Sequence, residues 1–274
     1  MRNVRIERVL FFLSLLFLGM FYAYLGGYGK LSSPIDLLTL LCVSLSFVSA
    51  WLYAIHVNDV IDIEIDTVSN QQRPLIKGEL TVNEMDQVGY LWLAITLLGG
   101  WASGFFSFYM LLVFVAAAYI YSQPPLRLRV IPLLGSFLIS IACLTTVLSG
   151  FFFVSLNKEI RTFPPSISFE ILIILTLIIN IKDIKDKDSD KKAGIGTLAN
   201  MFGENSTKVI GLCFAFSILL IPFFLSLYSL YVTAIPTALM GYIILNKKPF
   251  VEKHIFILGL VFVISSVLLS LFIF

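Results

Sequence analysis

The chain has 274 residues, of which 58% are hydrophobic and only 13% charged, with a mean hydropathy of +0.95. Water-soluble domains are nearer half apolar and a quarter charged, so this balance excludes an ordinary soluble fold and names lipid as the solvent. The net charge of +2 comes from short polar segments with no basic tail, which excludes nucleic acid as a partner.

A bilayer span takes about 20 mostly apolar residues. Val9–Tyr28 and Asp36–Val57 meet that length directly. The first of them follows a short basic start but lacks a small-x-small cleavage site, so it reads as a helix and not as a removed signal. Val88–Ser122 is too long for one helix and predicts a hairpin, broken around Gly99, Gly100 and Gly104. Val130–Leu156 is one long span. Ile167–Ile181 is short and is expected to extend into the polar sequence after it. Val209–Leu245 predicts a second hairpin, turning near Ser226–Ser229, and Ile255–Phe274 closes the chain. The reading is an all-α polytopic membrane protein of about nine helices in a single domain over residues 1–274.

With the N-terminus in the cytoplasm and alternating spans, sixteen of the nineteen Lys and Arg residues fall in cytoplasmic segments. Only Lys30, Lys158 and Arg161 fall opposite. Positive charge gathers on the cytoplasmic side of membrane proteins, so the expected orientation is N-terminus in and C-terminus out.

The three cysteines, Cys42, Cys143 and Cys213, each sit inside an apolar run with no C-x-x-C spacing. They read as core or lipid-facing residues. His56 and His254 lie alone at helix ends and read as interfacial.

One pattern occurs twice. The second apolar helix runs into Asn58-Asp59-Val60-Ile61-Asp62-Ile63-Glu64-Ile65-Asp66, and the sixth into Asp183-Ile184-Lys185-Asp186-Lys187-Asp188-Ser189-Asp190. Both carry carboxylates at offsets 0, +3 and +7, which at about 100° per residue form one stripe on a helix. Glu64 and Asp188 fall about 140° off the stripe and are expected outside any site. Both helices exit on the same predicted face, so the two segments can meet, as in a parallel repeat.

Like charges three and four residues apart repel, and two such stripes call for a cation. Six carboxylates and the Asn58 amide are hard oxygen donors, suited to Mg²⁺ or Mn²⁺ and unlike the His and Cys sets of zinc or copper. Mg²⁺ commonly completes its shell with substrate phosphates. Basic residues adjoin the acids: Arg73 and Lys77 after the first segment, Lys182 before the second, Arg127 and Arg129 in the third cytoplasmic loop. Cations there would meet the remaining oxygens of a diphosphate. Each could instead be a residue that only sets topology, though for Arg73 and Lys182 the functional reading is favoured.

N-D-x-x-D-x-x-x-D and D-x-x-D-x-x-x-D, with R-P-L after the first, Y-S-x-P-P-x-R-x-R between them and A-G-I-G-T-L (Ala193–Leu198) after the second, resemble the UbiA superfamily of intramembrane prenyltransferases over almost the whole chain. The resemblance implies nine helices around a central cavity in two related halves. It implies Mg²⁺ (with Mn²⁺ possible) and a prenyl diphosphate held at the cytoplasmic mouth. Carried over, Asn58, Asp59, Asp62, Asp66, Asp183, Asp186 and Asp190 would hold metal, with Asp62, Asp66, Asp186 and Asp190 nearest the chemistry. Arg73, Lys77, Tyr121, Arg127, Arg129 and Lys182 would face the diphosphate. The implied acceptor is an aromatic quinone precursor or an isoprenoid glycerol phosphate, with the stretch Asp62–Gly78 leaning to the latter.

Two other classes stay open. A divalent-cation transporter would place its acids near mid-bilayer around a pore, whereas these lie at helix ends among basic residues. A non-catalytic relative would keep the fold without the transfer.

Overall fold

The computed structural model describes residues 6–29 and 34–273. Arg2, Arg5 and Lys30, which enter the charge count above, lie outside them. Twelve α-helices fill the described residues, which contain no strand: α1 (Ile6–Leu25), α2 (Pro34–Ile61), α3 (Ile63–Ser69), α4 (Val82–Ala102), α5 (Phe105–Ser122), α6 (Leu134–Val154), α7 (Pro165–Ile178), α8 (Asp183–Lys192), α9 (Leu198–Met201), α10 (Ser206–Phe224), α11 (Tyr231–Asn246) and α12 (Glu252–Ile273). Nine of these have 14 or more residues. Six are long and apolar enough to cross a bilayer, within α2, α5, α6, α10, α11 and α12, and Val9–Tyr24 of α1 is a shorter apolar helix. The protein is an all-helical, polytopic, integral membrane protein.

The surface is apolar, and small hydroxyl residues join the apolar ones inside. Leu98, Phe105 and Val232 stand largely exposed on helix faces, while Ser140, Thr146, Ser149 and Ser217 are fully buried. Lipid tails solvate the former, and small hydroxyl residues let helix backbones approach.

The first hairpin turns at the last of the three glycines expected to break it. Gly99 and Gly100 stay inside α4, and the chain reverses at Ser103 and Gly104, where φ is +105°. Gly99 is used for packing instead: a Cβ there would collide with the Ser46 hydroxyl of α2. The second hairpin turns at Leu225–Leu227, with Ser226 at φ +54°. As expected for its shortness, α7 continues, through a 3-10 turn at Ile179–Lys182, into the polar helix α8.

The chain divides into two compact units, residues 1–128 with 141–164 and residues 129–140 with 165–274. One acid segment falls in each. In unit 1, α2 packs on α4 and α5, with Phe114 seated against Phe12 and Phe47 at 5.5 and 5.9 Å between ring centroids. There α1 and α6 cross in backbone contact: a Cβ at Gly19 would strike the Val147 carbonyl, and one at Gly150 the Leu16 carbonyl. In unit 2, α7, α10, α11 and α12 share a core that includes Ile181, Ile210, Phe214, Ala238, Leu245 and Phe262.

Candidate active site

The first acid segment lies where α2 hands over to α3. The helix is interrupted at Asp62 in name more than in hydrogen bonding. The amide of Asp62 donates to Asn58 at 3.0 Å, and that of Asp66 to Asp62 at 2.8 Å. The helical phase therefore carries across the break. Asp59, Asp62 and Asp66 are all buried, whereas Glu64 is exposed.

Each of the three carboxylates has a partner from a later loop. Arg73 Nη1 donates to Asp59 Oδ1 and also lies 2.7 Å from Asp66 Oδ2. The turns that place it are local: the Arg73 amide donates to Asn70 at 3.0 Å, Lys77 to Arg73 at 3.0 Å and Glu79 to Pro74 at 2.9 Å, with Gly78 at φ +70°. Arg127 Nη2 donates to Asp62 Oδ1 at 3.1 Å. Arg127 takes φ +35°, a conformation that L side chains rarely adopt, and its amide donates to Gln123 at 2.8 Å. Asn58 Oδ1 accepts from the buried Ser122 hydroxyl at 3.3 Å. Lys77 is exposed on the Arg73 loop, and Tyr121 is half-buried. Asn70, absent from the motif reading, donates to Asp66 Oδ1 at 2.9 Å; its spacing of four residues on a helix was the available signal.

Burial raises the Asp66 carboxyl to about 6. The Arg73 charge and the Asn70 hydrogen bond pull it back down only in part, and Asp59 and Asp62 add to the rise.

The second acid segment forms α8, in unit 2. Asp183 and Asp190 are buried, Asp186 is partly buried and Asp188 is exposed. Lys182 Nζ stands 3.8 Å from Asp183 Oδ1, and Arg129 draws down both Asp183 and Asp190 through its charge. Burial outweighs that pull. It raises both carboxyls, Asp190 to about 7 with the negative charge of Asp183 assisting.

The A-G-I-G-T-L run has a structural explanation. Gly194 ends α8 at φ +69°, and the Gly196 amide donates to the Val130 carbonyl at 3.0 Å. A Cβ at Gly196 would lie 2.9 Å from that carbonyl and from Pro132. This contact lays the Leu128–Val130 turn, and Arg129 with it, alongside α8. Below α8, the almost fully buried Asn180 accepts from Ser136 Oγ at 3.1 Å and donates to the Thr176 carbonyl at 2.6 Å. Sequence reasoning missed this pair, because a lone Asn and a lone Ser carry no motif.

Among the described residues no three acid, His or Cys side chains gather into a ready metal cage. The donor set nevertheless fits a hard divalent cation. In each unit three carboxylates of one stripe face two cationic side chains, leaving negative charge in excess. Asp66 Oδ2, buried, has no aligned hydrogen bond, so its contact with Arg73 is one of charge alone.

The model of the UbiA prenyltransferase family matches residues 12–254. The chain belongs to the UbiA prenyltransferase family. Among curated relatives, the digeranylgeranylglyceryl phosphate synthase of Sulfolobus acidocaldarius is 30% identical over 189 residues, 65% of this chain and 61% of the relative. The naringenin 8-dimethylallyltransferase 2 of Sophora flavescens is 30% identical over 59% of this chain and 44% of its own length. The chain thus spans about three fifths, or less, of the length of these relatives. A UbiA homolog from Archaeoglobus fulgidus, solved bound to GPP and Mg²⁺, shares the fold with a TM-score of 0.69 at 19% identity, covering 96% of this chain and 98% of that one. The UbiA fold accounts for the helix order.

Proposed function

We propose that this UbiA-family chain transfers a prenyl group from a prenyl diphosphate to an isoprenoid glycerol phosphate, releasing diphosphate. The observation that carries it is the pair of carboxylate stripes, Asp59/Asp62/Asp66 and Asp183/Asp186/Asp190, buried except for the partly buried Asp186 and each in excess over its neighbouring cations. Three of the relatives found are digeranylgeranylglyceryl phosphate synthases, which favours the lipid acceptor over an aromatic one. The acid-bearing helix ends and the N-terminus are cytoplasmic in this reading, and the C-terminus lies opposite.

The aspartates, with the Asn58 amide, would hold Mg²⁺. When bound, it neutralises the charge that builds on the departing diphosphate as the allylic C–O bond breaks. Arg127, Arg129 and Lys182 offer charged donors to the diphosphate oxygens, which gain charge in the transition state and so are bound more tightly there than in the substrate. One carboxylate of the stripes would take the proton that the acceptor hydroxyl loses.

The test is a transfer assay in nanodiscs with Mg²⁺, labelled prenyl diphosphates of several lengths, and a panel of lipid and aromatic acceptors. The expected product is a prenylated glycerol phosphate, with Asp62→Asn and Asp186→Asn lowering turnover about 10²–10³-fold. Absence of transfer and of diphosphate release, with both variants indistinguishable from wild type, would sink the reading.

A further inference from the structure

Asp59 and Asp66 stand seven residues apart, about 10 Å along a helix, yet one nitrogen, Arg73 Nη1, touches both. A single positively charged atom bridging two buried carboxylates from successive helical turns does what a divalent cation would do there. Three features make the contact one that can be released. Asp66 Oδ2 meets Arg73 without an aligned hydrogen bond. Asp66 is held independently through Oδ1 by Asn70 at 2.9 Å, so the carboxylate keeps its aim when the guanidinium leaves. Arg73 stands on a loop whose backbone is pinned by its own turns, and its side chain is 18% exposed, so the side chain can swing outward without unfolding the loop.

We propose that Arg73 is an exchangeable internal counter-ion of the first acid stripe, one that yields its place to a divalent cation and is thereby turned outward to bind an anion. The proposal rests on the reading of the stripe as a cation site. It makes Arg73 a positioning residue that couples two events: while Arg73 bridges the carboxylates, Asp59 and Asp66 are closed to the cation and Arg73 is closed to the diphosphate. Cation binding then opens Arg73 to the diphosphate, which favours metal before diphosphate. An arginine that only braces the loop would instead help the cation site by holding it in shape.

The two roles predict opposite signs. Purified protein without diphosphate is titrated with Mn²⁺, and free Mn²⁺ is counted by electron paramagnetic resonance. With exchange, Arg73→Gln binds Mn²⁺ about tenfold more tightly than wild type, since a competitor has been removed, and Arg73→Lys falls between. Added inorganic diphosphate tightens Mn²⁺ binding in wild type and does so much less in Arg73→Gln. Equal or weaker Mn²⁺ binding by Arg73→Gln overturns the exchange while leaving the cation site standing. No Mn²⁺ binding by either protein overturns the cation site and the exchange together. Should Arg73→Gln not fold, the wild type serves: the restrained guanidinium resonances of ¹⁵N-arginine-labelled protein should lose their restraint on saturation with Mg²⁺. Restraint unchanged at saturation overturns the exchange.

Discussion

The amide of Gly196 donates to the carbonyl of Val130, and the two backbones lie too close for any side chain between them. The contact sets the distance from Arg129 to the helix that carries Asp183 and Asp190. Gly196→Ala is expected to push the Leu128–Val130 turn away, at a cost of about 1–3 kcal/mol. Thermal unfolding in detergent would show a lowered midpoint, and diphosphate affinity would fall with it. A variant with the wild-type midpoint and affinity would show that the turn relaxes freely.

Proton and metal compete for the same carboxylates. Asp66 and Asp190 are raised to about 6 and about 7 from an ordinary value of 3.8. An acid raised by folding stabilises the fold below its unfolded pKa, and that contribution is lost as pH rises through the folded pKa. Between pH 4 and 7 these two groups therefore contribute less and less stability to the metal-free protein as pH rises. Divalent cations need the deprotonated groups, so their effect runs the other way. Mg²⁺ should lift the thermal midpoint more at about pH 8 than at about pH 5.5; equal lifts would count against cation binding at these two residues.

Glu170 in α7 is buried, and its Oε2 has no hydrogen-bond partner. A buried carboxyl without a partner is costly, and an apolar residue of similar size removes the cost. Glu170→Leu is expected to raise the thermal midpoint, by about 1 kcal/mol or more in stability, with transfer activity retained. A fall in the midpoint would mean that the carboxyl is satisfied.

The crossing of α1 and α6 leaves no room for side chains at Gly19 and Gly150. Gly150→Val should force the helices apart and cost about 1–3 kcal/mol, read as a lower midpoint and faster proteolysis of unit 1. Gly259, with open space around it, should accept the same change with little effect.

Much of the helical order was legible because lipid imposes a simple rule on length and polarity. The acid stripes were legible because offsets of 0, +3 and +7 keep one phase, and burial follows that phase: Asp59, Asp62 and Asp66 in, Glu64 out. What escaped depends on the chain folding back on itself. Arg73 is fourteen residues from Asp59, and only the turns between Asn70 and Glu79 decide that it bridges carboxylates. Of the glycines expected to break the first hairpin, Gly104 does so, while Gly99 serves close approach to Ser46, because glycine has two uses. Ser136 and Asn180 were silent, since a hydroxyl or amide that satisfies a buried neighbour needs no repeated spacing.

The close crossing of α1 and α6 at Gly19 and Gly150 also bears on the order of biogenesis. Unit 1 takes residues 141–164 from beyond a stretch that belongs to unit 2. During synthesis α1 must therefore wait in the bilayer, its glycine face uncovered, until the fifth of the long helices emerges. A nascent chain halted before residue 141 would expose that face to chaperones and membrane proteases, and a chain split anywhere between 141 and 164 would leave both units unfinished.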